Sequence, residues 1–199
     1  MEHLRYKGLP FEDQRQVLLD ILLADPIVRP ALALAEKLDL PQWMLVSGAL
    51  YNSVWNQLTG RPAGYGIRDI DLFYFDGSDL SWEAEDVVIR RGDDAFAHLP
   101  LPVEIRNQAR VHLWFEDHFG SPRAPLASSA ESLEHFASRT HAVGLAIVGG
   151  MPQVWAPFGL DDIFAFRLTP NHRNDNRATH LAKGRRAREM WPEVTVVDW

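Results

Sequence analysis

The sequence predicts an α/β (α+β) fold with a mixed β-sheet flanked by helices, extended by helical additions at both ends. Three observations carry this. Helical and strand patterns alternate without strict βαβ regularity. VGLAIVGGMPQVWA reads as two short strands around Gly149-Gly150, a hairpin signal. VEIRNQARVHLWF, residues 103–115, alternates apolar and polar side chains as a strand with one wet face does.

The elements follow in chain order. In PFEDQRQVLLDILLAD, residues 10–25, Phe11, Val17, Leu18, Ile21 and Leu22 fall near helical spacing, and Pro26 ends the helix. Pro30 opens a second helix, ALALAEKL, that stops before Pro41. Residues 42–47, QWMLVS, form a short buried strand, and Gly48 follows. ALYNSVWNQLTG repeats Leu50, Val54 and Leu58 every fourth residue, with Gly60 as C-terminal cap. RPAGYGIR is a loop, and Asp69–Phe75 is the second strand. Residues 77–100 are polar and irregular and read as a loop with short accessory elements. Ser128 and Glu131 make a capping box that opens a helix through about Arg139. Asp161 or Asp162 caps a helix, DDIFAFRL, terminated by Pro170, and a basic helical tail follows. The expected organisation is one domain over 1–199: an N-terminal helical segment (1–40), a core (42–168) and a basic tail (169–199).

Composition narrows the classes. The 199 residues suit one domain with a full core. No run reaches the length of a membrane span, and MEHLRYKGLPFEDQ lacks a secretory signal's apolar core. There is no cysteine, which excludes disulfides and thiolate metal sites; a cytoplasmic location is expected. A net charge of −7 argues against coating DNA. Arg173, Arg177, Lys183, Arg185, Arg186 and Arg188 nevertheless cluster near the end. Their usual meaning is a solvated helix face; a phosphate or RNA contact is the alternative.

GIRDIDLFYFD poses the chemical question. Asp69 and Asp71 lie two apart in an apolar strand and so share a face. Two like charges in one place are costly unless a cation neutralises them. A hard divalent ion, Mg²⁺ or Mn²⁺, shared with a substrate's phosphates answers that cost. The plainer reading pairs them with Arg68, Arg106 or Arg110. Glu104, the acid on the polar face of the 103–115 strand, is the candidate third carboxylate; a cross-strand arginine is its alternative partner. Ser47-Gly48 lies between a strand and a helix, where glycine admits a ligand to the backbone and helix N–H groups meet an anion. Asn52 and Arg106 join Ser47 and Gly48 as candidate phosphate or nucleotide contacts, although Arg106 could equally cover the sheet's open face. A phosphate turn beside a metal-binding pair describes nucleoside triphosphate chemistry.

Other residues receive plainer readings. Asn107 makes a buried structural hydrogen bond. His112 and His118 pack or face solvent, since the histidines lack metal-ligand spacing. Trp55, Trp114 and Trp155 pack in the core or at interfaces rather than stack on a base. Gly149-Gly150 is a turn, not a phosphate cradle.

Strand, Ser-Gly, helix, loop, Asp-x-Asp and a later acid together resemble the nucleotidyltransferase fold of the DNA polymerase β superfamily. SGALYNSVWNQLTGR resembles the Gly-Gly, helix, Leu-Gly-Arg pattern of its tRNA CCA-adding and poly(A) polymerase branch. DIDLFYFD, VEIRNQARVHLWFEDHFG and WAPFGLDDIFAFRLTPN look like a family of bacterial nucleotidyltransferase-like proteins, a similarity covering most of residues 42–192. The resemblance implies metal binding by Asp69, Asp71 and Glu104, triphosphate binding by Ser47 and Gly48, and transfer of a nucleoside monophosphate from an NTP. The acceptor could be a small molecule, RNA or protein. The superfamily's third acid is more often Asp, and the gap from Ser47-Gly48 to Asp69 is longer than in compact members. Two other functions compete: a non-catalytic nucleotide-binding protein on the same fold, favoured if Glu104 turns away from the aspartates, and a nucleotide-sugar glycosyltransferase, which needs no Ser-Gly turn.

Overall fold

The computed structural model describes residues 2–120 and 122–199, with backbone only for residues 118 and 119, so the packing expected of His118 lies outside the described side chains. In chain order the elements are α1 (Phe11–Ala24), α2 (Val28–Leu38), β1 (Met44–Val46), α3 (Gly48–Thr59), β2 (Ile70–Tyr74), α4 (Trp82–Phe96), β3 (Val103–Asn107) and α5 (Val111–Phe119). Then come α6 (Ser129–Ser132), β4 (Gly144–Val148), β5 (Met151–Trp155), α7 (Asp161–Phe164), β6 (Arg167–Leu168), α8 (Arg177–Met190) and β7 (Thr195–Val196).

The main sheet has the order β3-β2-β1-β4-β5. Only β2 and β3 run parallel, so the sheet is mixed, as the sequence predicts. β4 and β5 form the expected hairpin, with Gly149 at φ 58° and Gly150 at φ 76°, the left-handed pair a tight two-residue turn needs. β6 and β7 make a small parallel pair of their own. The core is one cluster. Leu18 and Leu22 of α1, Ala31 and Leu32 of α2, and Leu50, Val54 and Trp55 of α3 pack against Leu45, Ile70, Leu72 and Leu145 of the sheet. No helix among the described residues is long and apolar enough to cross a membrane.

Several expected boundaries move, each for a local reason. α2 starts two residues before Pro30, because Asp25 Oδ1 accepts from the N–H groups of Ile27 and Val28 at 2.8 and 2.9 Å. The 77–100 stretch contains a 15-residue helix, α4, capped by Ser81, whose hydroxyl accepts from Ala84 N at 3.2 Å. Its buried face is Glu85, Gly92 and Phe96, which does not read as an apolar stripe. Gly92 lets α4 pack closely on β3, since a Cβ there would come within 2.0 Å of Ile105 Cδ1 and the isoleucine would have to shift.

The strand predicted over 103–115 ends at Asn107. A 3₁₀ turn over Gln108–Arg110 and then α5 follow, leaving Arg110 buried and Leu113 53% exposed, the reverse of strand alternation. The Asn107 side chain makes this turn. Its Oδ1 accepts from Ala109 N and from Asp76 N, and its Nδ2 donates to Asp76 O. The structural reading of Asn107 therefore holds. Ser128 caps as expected, accepting from Glu131 N at 3.1 Å, but the helix is one turn plus a 3₁₀ turn and stops before Phe136. α7 is also a single turn. Leu160, not an aspartate, is its N-cap, and Asp161 instead accepts from Gly8 N and Gln14 Nε2.

Candidate active site

β1 delivers the chain to a sharp corner. Ser47 sits at φ 57°, ψ −117°, a backbone region suited to glycine. Its N–H donates to Val143 O at 2.9 Å, and its carbonyl accepts from Leu50 and Tyr51, so the corner is clamped on both sides. Such strain costs about 1–3 kcal/mol and concentrates at functional sites. We expect Ser47→Gly to raise thermal stability, by roughly 0.5–1 kcal/mol once glycine's extra unfolded entropy is deducted. The sequence expectation that Ser47 contacts a nucleotide's phosphates further predicts that the same variant, lacking the hydroxyl, binds nucleotide more weakly. Denaturant melts and a nucleotide titration on one preparation check both halves.

α3 begins at Gly48, and its first turn lines a cavity of about 220 Å³, where a helix start offers unpaired N–H groups to an anion. Ser47, Gly48, Asn52, Asp69 and Asp71 all line it. The antiparallel register explains the convergence. Val46 lies opposite Asp71, so the corner after β1 falls beside Asp69 and Asp71. Asn52 lies one turn into α3 and is 3% exposed, with its Oδ1 buried and unpartnered among the described residues. A buried acceptor in that condition is costly without a ligand or water.

The acid pair is electrostatically loaded. The Asp71 carboxyl is pushed up to about 6, first by burial and then by the Asp69 charge, with Lys183 pulling the other way. Neither aspartate makes an ion pair among the described residues. Of the arginines offered by the plainer reading, Arg106 pairs with Glu104 at 3.4 Å, Arg110 pairs with Glu85, and Arg68 lines the same cavity as the two aspartates without forming an ion pair among the described residues. The donors fit a hard divalent cation: two neighbouring carboxylates, all oxygen, in a place where negative charge is unfavourable.

Glu104 and Arg106 stand at the site's margin. Glu104 is in register with Asp71 and Arg106 with Phe73 on the parallel β2–β3 pair, so both adjoin the acid pair without lining its cavity. The Glu104 side chain is 51% exposed and turned to Arg106. No three acidic or histidine side chains among the described residues converge on one point.

The structure adds residues of the basic stretch, which the sequence reads mainly as a solvated helix face with a phosphate or RNA contact as the alternative. Lys183 and Arg186 of α8 line the cavity, together with Tyr51 and Trp191. Arg186 donates to Gly66 O at 2.6 Å, and Trp191 Nε1 donates to Asn56 Oδ1 at 3.0 Å. The basic stretch is therefore not wholly a solvated face. A signal was present: His180, Gly184 and Ala187, at helical spacing, are the buried side of α8 and carry Lys183 and Arg186 to the cavity rim. Gly184 permits the approach, since a Cβ there would meet Val196 Cγ1 at 2.8 Å. Arg173 is outside the cavity, paired with Glu134.

Behind α3, Tyr51 stacks on His141 with ring centroids 5.0 Å apart, and Trp55 meets Tyr51 edge-on at 4.9 Å. Burial holds His141 well below the ordinary histidine range, so this support is neutral. Trp55 is fully buried, as expected of a core residue.

A family model described as nucleotidyltransferase matches residues 33–196. A solved structure, whose title says that it reveals a CCA-adding enzyme head domain, superposes with a TM-score of 0.75 at 25% sequence identity. It covers 92% of this chain and 96% of its own. No curated protein matches.

Proposed function

Because the chain belongs to the nucleotidyltransferase family, we propose that the cavity at the start of α3 binds a nucleoside triphosphate with a divalent cation, for transfer of the nucleoside monophosphate to an acceptor hydroxyl. The observation that carries this is the facing of Asp69 and Asp71 against the first turn of α3 across one small cavity. The free N–H of Gly48 and the Ser47 hydroxyl would receive the terminal phosphates, with Asn52 beside them and Lys183 and Arg186 at the rim. Asp69 and Asp71 would hold Mg²⁺ or Mn²⁺, which when bound neutralises the triphosphate and lowers the pKa of the attacking hydroxyl. Glu104, in register with Asp71, is the base we assign to the hydroxyl proton, and Arg106 is its positioning partner and a phosphate contact.

Gly48 tests this reading. A Cβ at Gly48 would meet nothing nearer than Asn52 Nδ2 at 3.7 Å, an ordinary contact, so the fold tolerates alanine there. A phosphate lying on the backbone does not. Gly48→Ala should melt at or slightly above the parent temperature and bind MgATP, MgCTP, MgGTP and MgUTP at least about tenfold more weakly than the parent. Equal affinity in parent and variant, or parent affinity indifferent to Mg²⁺, sinks the proposal.

One observation favours a second reading, nucleotide binding without transfer: Glu104 is turned to Arg106 and half-exposed. It predicts metal-dependent nucleotide affinity with no pyrophosphate release for any acceptor, and no change in that affinity for Glu104→Gln.

A further inference from the structure

A second cavity, of about 220 Å³, opens beside the first and shares Lys183 with it. Its walls are aromatic: Phe73 of β2, Trp114 and Phe115 of α5, and Phe136. Phe73 and Phe136 lie nearly parallel, 7° apart with centroids at 6.1 Å. Arg123 and Lys183 also line it, and no acidic residue among the described residues does. Arg123 makes no ion pair among the described residues, and its guanidinium lies 3.8 Å from the Phe115 ring centroid.

The position relative to the acids matters more than the walls. Asp69, Asp71 and Phe73 share one face of the β2 run. The β1–β2 register sets Val46 against Asp71 and Met44 against Phe73. The phosphate corner at Ser47-Gly48 therefore lies at the Asp69 end, and the aromatic cavity at the other end, about 7 Å past Asp71 at the ordinary strand rise. Phosphoryl transfer runs in line, so a leaving pyrophosphate at the Ser47-Gly48 end requires the nucleophile to come from the Phe73 end.

The geometry points to this second cavity as the acceptor site, built for a small aromatic molecule that carries a hydroxyl and an anionic group. This rests on the nucleotidyl-transfer reading of the first cavity. The acceptor oxygen bonds to the α-phosphorus, the bond from that phosphorus to the β-phosphate bridging oxygen breaks, and pyrophosphate leaves. The hydroxyl proton passes to Glu104. The aromatic walls take the ring, while Arg123 and Lys183 take the anion.

The test uses 4-hydroxybenzoate as probe and cyclohexanecarboxylate and phenol as controls, titrated into the full-length protein by calorimetry. Each titration is repeated with saturating Mg²⁺ and a non-hydrolysable ATP analogue, whose own binding is measured alone. The probe should bind at least about tenfold more tightly than either control, because ring and charge are both read. Its affinity should fall about tenfold in Arg123→Gln and in Trp114→Ala, each checked for an unchanged melt, with Lys183→Gln, a residue shared with the nucleotide cavity, as a third variant. Probe and nucleotide should bind together. Displacement of the probe by the nucleotide would give the cavity to the donor's base and overturn the assignment, as would no probe binding or equal binding in all three variants. If instead the nucleotide alone fails to bind, the transfer reading falls on its own measurement.

Discussion

Replacing Asp71 by asparagine should stabilise the metal-free protein and, on the proposed reading of the site, remove the Mg²⁺-dependent part of nucleotide binding. Asp71 titrates near 6 in the folded chain against 3.8 in an unfolded one, because it is buried beside Asp69. The sign follows from that rise. Below pH 3.8 the carboxyl is protonated in both states and costs nothing. Between pH 3.8 and about 6 the unfolded carboxyl ionises while the folded one stays protonated, so stability is lost as pH rises through that window. Above that window the loss is constant, at most about 3 kcal/mol for a shift of this size at ~1.36 kcal/mol per unit. A neutral asparagine side chain carries no such penalty.

Without metal at pH 7.5, Asp71→Asn should therefore melt higher than the parent by roughly 5 °C, and the two curves should converge near pH 4. Adding Mg²⁺ should raise the parent's melting temperature and leave the variant's unmoved. Nucleotide affinity in Mg²⁺ should drop at least about tenfold in the variant. Thermal melts across pH, with and without Mg²⁺, read the stability effects, and calorimetry reads the affinity. A variant that melts lower than the parent at pH 7.5 would show that Asp71 is held by structural partners, not strained by their lack.

The second large effect concerns the knot beneath β3. Glu85 is 3% exposed and Arg110 8% exposed, and they pair with each other. Glu85 Oε1 also accepts from Asn107 N at 2.8 Å, and Arg110 Nε donates to Leu80 O at 2.8 Å. Removing one partner of a buried pair leaves a charge without compensation. Glu85→Ala should cost about 3–5 kcal/mol, which for a chain of this size is on the order of 10 °C in Tm. Glu85→Leu combined with Arg110→Met should recover much of that loss, because both desolvated charges then go together. Chemical denaturation of the single and double variants decides it. A loss under about 1 kcal/mol for Glu85→Ala would mean that water reaches the pair.

These predictions separate what was legible in the sequence from what was not. The Asp69–Asp71 pair, the Ser47-Gly48 corner and the helix after it were legible, because each is a local pattern: period two, a small-residue corner, period four. The hairpin at Gly149-Gly150 was legible for the same reason. α4 was not, since its buried face uses Glu85 and Gly92, whose fit depends on Arg110 and on Ile105 of β3. The end of β3 was not legible either. Alternation continues in the sequence past Asn107, but hydrogen bonds from Asn107 to Asp76, 31 residues away, turn the chain there.

Residue order alone placed two carboxylates on one strand face and a glycine at the start of a helix after a short strand; these follow from spacing and residue type, which act over a few residues. The nucleotidyltransferase fold class came instead from the resemblance of whole segments to a known family. Tertiary packing decided that the basic segment at 177–190 folds back, so that Lys183 and Arg186 share a cavity with Asp69 and Asp71. It also decided that an aromatic cavity lies past the acids at the far end of β2. Both depend on contacts between residues far apart in the chain, such as Trp191 on Asn56 and Arg186 on Gly66. Burial of Trp191 in the core holds the helix there, and no local pattern carries that information.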